Sequence, residues 1–245
     1  MILHLEELAL NAWPALETII YRGCLLRFSN GYTKRANSAN ALYVNDKDLE
    51  AVIAYSEKAY KEKGLPVIFK IIDIDSYRRL DLLLETFGYE KVDTTYVMTV
   101  DFKKIDNVSD HEITLDEGFS DEWFETFSRC SKLNASYETT ARGVLERIEL
   151  ETIVASLSES GRMVACGFGA IEDDHIGFFD IVVDESQRGK GFGKKIMNGI
   201  IGAAKEKCVG KGYLQVIASN IVAQKLYEGL GFKMAYAYWC RRKNA

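Results

Sequence analysis

The chain has 245 residues, 47% hydrophobic and 27% charged, the make-up of a folded globular protein, which excludes intrinsic disorder. Its 31 Lys and Arg against 36 Asp and Glu leave a net charge of −5, which argues against a broad nucleic-acid-binding face. With 19 glycines and 2 prolines there is no room for a long flexible linker.

The opening segment, MILHLEELALNAW, carries Glu6 and Glu7 and lacks the basic start and apolar run of a signal peptide. No stretch approaches the ~18 uninterrupted apolar residues of a membrane span. A cytoplasmic protein without a membrane partner is the expectation. Leu3, Leu5, Leu8 and Leu10 recur at helical spacing up to Trp13-Pro14. Residues 19–28 and 32–44 are expected to be two strands around Ser29-Asn30-Gly31. Asp46 would cap a helix running to Lys63, where Gly64 and Pro66 stop it. Residues 67–72 are a β-branched strand, 76–86 a helix closed by Gly88, and 89–102 a strand. The polar run Lys103 to Asp110 is the expected boundary between two units, residues 1–105 and 106–245.

Beyond it come a strand at 112–115, helices at 121–132 and 139–148, and strands at 152–158, 162–171 and 176–183. A glycine-rich segment, 187–193, leads into a helix to Cys208; a strand (213–218), a helix (221–229) and a strand (232–241) follow. A weak repeat runs through this order. Lys63-Gly64-Leu65 and Lys211-Gly212-Tyr213 each open a strand, and the following helices end in Phe87-Gly88-Tyr89 and Leu230-Gly231-Phe232. Gly-aromatic pairs are also common after helices for a local reason, because glycine accepts the left-handed C-cap. The agreement in element order favours two copies of one α/β unit.

Cys24, Cys130, Cys166, Cys208 and Cys240 lack CxxC spacing, and His4, His111 and His175 are far apart. Buried thiols and no metal site are expected. The chemistry concentrates after the apolar strand ending Asp180-Ile181-Val182-Val183. There Gln187-Arg188-Gly189-Lys190-Gly191-Phe192-Gly193-Lys194-Lys195 opens a helix. Alternating glycines bring backbone N–H groups close to a ligand, and a helix N-terminus adds free donors suited to a pyrophosphate. The spacing fits neither GxxxxGK[ST] nor GxGxxG.

Arg188, Gly191 and Gly193 form an RxxGxG, and Asn220 to Phe232 reads NIVAQKLYEGLGF. Together these resemble two motifs of the GNAT N-acetyltransferase superfamily, over about residues 108–245; the N-terminal half matches much less well. Leu26–Tyr43 is similar to a segment of uncharacterised tandem GNAT-like proteins. The resemblance implies an α/β fold (α+β, mixed sheet) of two tandem units, each a mostly antiparallel twisted sheet flanked by helices. It implies acetyl-CoA as co-substrate, no metal, and direct transfer to an amine in a ternary complex. The pyrophosphate would lie on Arg188, Gly189, Lys190, Gly191, Phe192, Gly193 and Lys194. The pantetheine arm would lie along Ile181, Val182 and Val183, with Asn220 capping its helix or binding the cofactor.

By the same resemblance Tyr227 is the candidate general acid. Asp180, a carboxylate inside an apolar strand, is the candidate base, with His175 or a water chain as alternatives and a purely structural role for Asp180 still open. Strand alternation puts 175 and 180 on opposite faces unless a bulge intervenes. In the N-terminal half no RxxGxG precedes the helix, and Leu84 stands where Tyr227 does. That half would therefore be silent. Asn30, Tyr32, Lys34, Arg35 and Asn37 either wall the acceptor pocket or form an exposed hairpin. The acceptor is expected to be a small-molecule amine, with no nucleic acid partner, and the chain a monomer or homodimer. A protein-lysine or N-terminal acetyltransferase and a silent acyl-CoA sensor are the alternatives.

Overall fold

The structure is a computed structural model that describes residues 2–105 and 112–244. Its first half contains α1 (Ile2–Ala12), β1 (Glu17–Tyr21), β2 (Cys24–Phe28), β3 (Ala39–Asn40), α2 (Leu49–Glu62), β4 (Val67–Ile72), α3 (Arg78–Thr86) and β5 (Glu90–Asp101). The second contains β6 (Thr114–Asp116), α4 (Asp121–Ser131), α5 (Glu138–Leu145), β7 (Glu151–Glu159), β8 (Arg162–Glu172) and β9 (His175–Val183). It continues with α6 (Phe192–Glu206), β10 (Lys211–Ile217), α7 (Ile221–Glu228) and β11 (Lys233–Lys243). Part of the expected boundary segment, residues 106–110, and His111 lie outside the described residues.

All strands form one sheet in the order β1-β2-β3-β4-β11-β5-β10-β9-β8-β7-β6. Only β3–β4 and β9–β10 pair in parallel; the other neighbours are antiparallel. The order reads the same from both sides of the β11–β5 pair, with β1 to β4 answering β7 to β10. Each half supplies three antiparallel strands, a helix, a strand, a helix and a last strand. The last strands are exchanged: β11 lies between β4 and β5, and β5 lies between β11 and β10.

Side-chain contacts lock the exchange. Asp81 of α3 accepts hydrogen bonds from Arg241 Nε at 2.7 Å, Arg241 Nη2 at 3.1 Å and Trp239 Nε1 at 2.8 Å, so helix and inserted strand are held by one carboxylate. At the other side α1 packs on β8 and β9. Trp13, just after α1, is 1% exposed and packs against both Phe168 of β8 and Phe179 of β9, which also stack on each other. Burying such a ring is worth several kcal/mol. The core therefore continues across both halves.

Two expected elements are corrected. The first hairpin turns at Arg22-Gly23, both with positive φ (47° and 82°), and not at Ser29-Asn30-Gly31. Two left-handed residues give the I′-type turn that suits a twisted ribbon. A Cβ at Gly23 would also meet the Tyr43 carbonyl oxygen at 2.5 Å. Residues 32–38 are consequently not a strand: Asn37 accepts hydrogen bonds from the N–H groups of Ser29 and Gly31 and ties them into a compact loop with one 3-10 turn at Lys34–Ala36. Asn45, not Asp46, caps the start of the helical segment before α2, its side chain accepting from the Lys47 N–H.

Candidate active site

β9 is the strand on which the site is built. Ile176 and Phe178 pack into the core under α6, and so do Ile181 and Val183, whereas Phe179 and Val182 face the opposite core. Strict alternation would have put 176, 178, 180 and 182 on one face. The change of parity is a β-bulge: Cys166 pairs with Val182 but Phe168 pairs with Phe179, leaving one extra residue on β9. Asp180 is at the bulge, with φ of 50°. A non-glycine residue there is strained, and such positions cluster at functional sites.

The bulge coincides with a fork. β9 pairs with β10 from His175–Lys211 to Phe178–Leu214 and no further, although β10 continues to Ile217. Beyond Phe178, the β9 backbone edge facing β10 is free of strand pairing, while β8 still holds Val182 and Val183 from the other side. A cavity of about 420 Å³ opens at the fork and runs over the sheet face of the N-terminal half. Phe178 to Val182, Asn220, Ala223 and Tyr227 line its mouth, Asn40, Lys70, Tyr238, Thr95 and Gln215 its floor. Ala9 and Leu10 of α1 and Thr33, Lys34, Arg35 and Ser38 of the compact loop cover it.

Asp180 and Tyr227 meet in this cavity. Burial raises the Asp180 carboxyl above the usual carboxylate value, and the charge and hydrogen bond of Arg35 oppose that. Arg35 Nη2 donates to Asp180 Oδ1 at 3.2 Å, while buried Oδ2 has no partner among the described residues. Arg35 is itself fixed by the Trp13 ring, 4.2 Å beneath its guanidinium. Tyr227 is pushed up to about 12, first by burial and then by the Asp180 charge. Asn220 caps α7, its Oδ1 accepting from the Ala223 N–H at 3.1 Å.

The glycine-rich turn forms the rim beside the fork. Gly189 and Gly191 have φ of 82° and 83°, and open space surrounds both. Gly191 is the left-handed N-cap of α6. Gly193 is helical and faces Val183 and Leu226, which places the turn between β9 and α7. Arg188, Lys190 and Lys194 are exposed around it, and Phe192 is buried under α6. Ile181 and Val182 line the cavity; Val183, Arg188 and residues 189–194 lie outside it.

His175 is at the far end of β9, against His4 of α1, and does not line the cavity. Of the loop residues expected to wall the acceptor, Lys34 and Arg35 do so. Asn30 donates to Thr140, Asn37 holds the loop, and Tyr32 packs on Tyr137 behind it. Leu84, in the place of Tyr227, is sealed in the core. No group of three potential metal ligands occurs among the described residues, and no helix among them is long and apolar enough to cross a membrane.

A family model described as Probable histone acetyltransferase Rv0428c C-terminal matches residues 1–240. The chain belongs to this family, within the GNAT superfamily. Uncharacterized N-acetyltransferase YobR of Bacillus subtilis (strain 168) is 30% identical over 236 residues, covering 93% of each chain. The [Ribosomal protein bS18]-alanine N-acetyltransferase of Escherichia coli (strain K12) is 33% identical over 79 residues, 32% of this chain and 53% of that one. Among solved structures, a GCN5-related N-acetyltransferase from Kribbella flavida superposes with a TM-score of 0.71 at 13% identity, covering 100% of this chain and 95% of that one.

The chain is thus a GNAT-type N-acetyltransferase, and its mixed sheet, with seven α-helices among the described residues, is the fold of that superfamily. In this N-acetyltransferase several cavity residues come from outside the motifs: Arg27, Asn40, Lys70, Asp93, Thr95 and Gln215. One of them leaves a trace in the sequence. Lys70 is a lone charge within Val67-Ile68-Phe69-Lys70-Ile71-Ile72, a strand buried throughout, and its partner Glu6, at 2.5 Å, is a lone acid on the buried face of α1. Charges in such positions are kept only when paired or used.

Proposed function

We propose that the chain transfers the acetyl group of acetyl-CoA directly to the nitrogen of a small primary amine, in the cavity shared by its two halves. The observation that carries this reading is the meeting of Asp180 and Tyr227 at the mouth of one cavity, where β9 and β10 part. The residues present suit the co-substrate. The fork leaves β9 backbone groups at Ile181 to Val183 for an amide-rich arm, and the open turn at Gly189–Gly193 offers backbone N–H groups and cationic side chains to a pyrophosphate. Residues 1–105 and 106–245 are read as two GNAT-like units, of which only the second has this turn.

In the reaction the amine nitrogen forms a bond to the thioester carbon and the carbon–sulfur bond breaks. One proton leaves nitrogen and one reaches sulfur. Asp180 Oδ2, buried and without a partner, accepts the amine N–H and takes its proton. Tyr227 donates to the departing sulfur. With the phenol at about 12 and an ordinary thiol at about 8.5, complete transfer from Tyr227 is uphill by roughly 5 kcal/mol. Tyr227 therefore acts mainly by a hydrogen bond that strengthens as charge develops on sulfur, and the released thiolate takes its proton from water. Arg35 positions Asp180 and is not in the proton path.

The test is release of the CoA thiol from acetyl-CoA with a panel of primary amines, with the N-acetyl product identified by mass spectrometry. Turnover with small amines supports the reading; tight acetyl-CoA binding without turnover of any amine would leave a silent binding module. A protein acceptor is the second reading, favoured by the histone acetyltransferase family to which the chain belongs and by the ribosomal-protein substrate of the bS18 enzyme. The cover formed by α1 and residues 33–38 supports the small acceptor. Faster turnover of peptides than of any small amine would decide for the protein.

A further inference from the structure

The cavity is cationic in a chain that is acidic overall. Four basic side chains line it, Arg27, Lys34, Arg35 and Lys70, against two carboxylates, Asp93 and Asp180. Lys34 is paired with Asp93, Arg35 with Asp180, and Lys70 with Glu6 behind the floor. Arg27 has no carboxylate partner among the described residues. It is 4% exposed, and its guanidinium donates to the carbonyls of Arg35, Leu10 and Trp13. Even with Glu6 counted, the pocket holds one more positive than negative formal charge. Beside this surplus lies the opposite feature, the buried Asp180 Oδ2, an acceptor without a donor.

Buried charges of one sign are costly unless an opposite charge completes them. Resting on the acetyltransferase reading above, we infer that the acceptor is a small zwitterion: a primary amine that also carries an anionic group. Its nitrogen lies on Asp180, and its carboxylate or phosphate lies towards the Arg27, Lys34 and Lys70 side. An amine without an anionic group leaves the surplus charge unmatched, and a second ammonium group adds to it. The preference belongs to the N-terminal half, since all four cations come from residues before 105.

The test compares kcat/KM for matched acceptors in the full chain, with acetyl-CoA at a fixed saturating level. The pairs are lysine against cadaverine, β-alanine against ethylamine, and aminoethyl phosphate against ethanolamine. Each pair differs by one anionic group, and the third tells phosphate from carboxylate. The anionic member should be preferred at least tenfold in one or more pairs. Lys34→Gln, at a half-exposed position, should lower that preference at least threefold, while Asp93→Asn, which removes a negative charge from the same pair, should keep or raise it. A general structural defect would lower rates for both members of a pair and leave the ratio alone. Equal or faster turnover of cadaverine and ethylamine overturns this inference while the acetyltransferase reading stands. Calorimetric binding of acetyl-CoA with no turnover of any amine overturns the small-acceptor reading and this inference together.

Discussion

Asp180 combines three conditions that a strand residue rarely meets together: a left-handed backbone, burial, and a carboxylate oxygen with nothing bonded to it. Its proposed role as the base can be tested by titration. A base must be ionised, so kcat/KM should rise with pH through the Asp180 pKa, which burial sets above the usual carboxylate value. Asp180→Asn should remove that acidic limb; an unchanged limb would make Asp180 structural. Arg35 works in the opposite direction, favouring the ionised form. Arg35→Gln should move the same limb to higher pH and leave acetyl-CoA affinity unchanged, which direct binding will check. Tyr227→Phe keeps the ring and its contact with Phe232 and loses one hydroxyl. Its kcat should fall by roughly 10²-fold, the loss expected for one hydrogen bond to charge that develops in the transition state, with little change in acetyl-CoA affinity. Full activity of the variant would refute the role.

At the scale of elements, the glycine turn and the exchanged strand make separate claims. A Cβ at Gly191 has room, so substitution there costs backbone strain and no clash. Gly191→Val should keep the fold and weaken acetyl-CoA binding at least tenfold, about 1.4 kcal/mol; unaltered affinity would remove the turn from the binding site. The exchanged β11 depends on Asp81. Burial alone would raise its carboxyl, but the hydrogen bonds from Arg241 and Trp239 and the Arg241 charge together hold it below the usual carboxylate value. A depressed folded pKa gives stability above the unfolded value of roughly 4 that is lost as pH falls through the folded one. Asp81→Asn should therefore cost about 3 kcal/mol at neutral pH in urea unfolding, and the gap from wild type should close towards acid. A gap independent of pH would mean that packing, not the ion pair, is lost.

Elements with strong local signals were legible in the sequence. The run at 67–72 and the apolar stretch before the RxxGxG turn became β4 and β9. The first hairpin was misplaced because Asn30-Gly31 is the stronger turn signal, while Arg22-Gly23 owes its shape to the twist of the ribbon and the close approach of Tyr43. The fork end of the site was readable from motifs with Asp180 and Tyr227. The floor was not, because Asn40, Lys70, Thr95 and Gln215 become neighbours only through the pairing of β3, β4, β11, β5 and β10. Nothing local marks the bulge either, since a one-residue shift of parity depends on which core each side chain enters.

For the molecule as a whole, the exchange of last strands joins two similar halves into one sheet, and both of its hydrophobic cores draw on residues of both halves. Within the first half alone β4 pairs only with β3 and β5 has no neighbour, since β11 separates β4 from β5. Thermal unfolding should accordingly be a single cooperative transition. Two well-separated transitions would mean that the halves are independent. The same architecture fixes the number of active clefts. Both halves have a parallel pair followed by a helix and an exchanged strand, but among the described residues it is β9, and not its counterpart β3, that carries a bulge and an adjoining open glycine turn, with Tyr227 of α7 lining the cavity. The N-terminal half gives instead the cover of the cavity and, with Gln215 and Tyr238 of the second half, its floor. Calorimetric titration of acetyl-CoA into the full chain tests this most directly: one molecule per chain is predicted, abolished or weakened at least tenfold by Gly191→Val, whereas two equal sites per chain, or none, would contradict it.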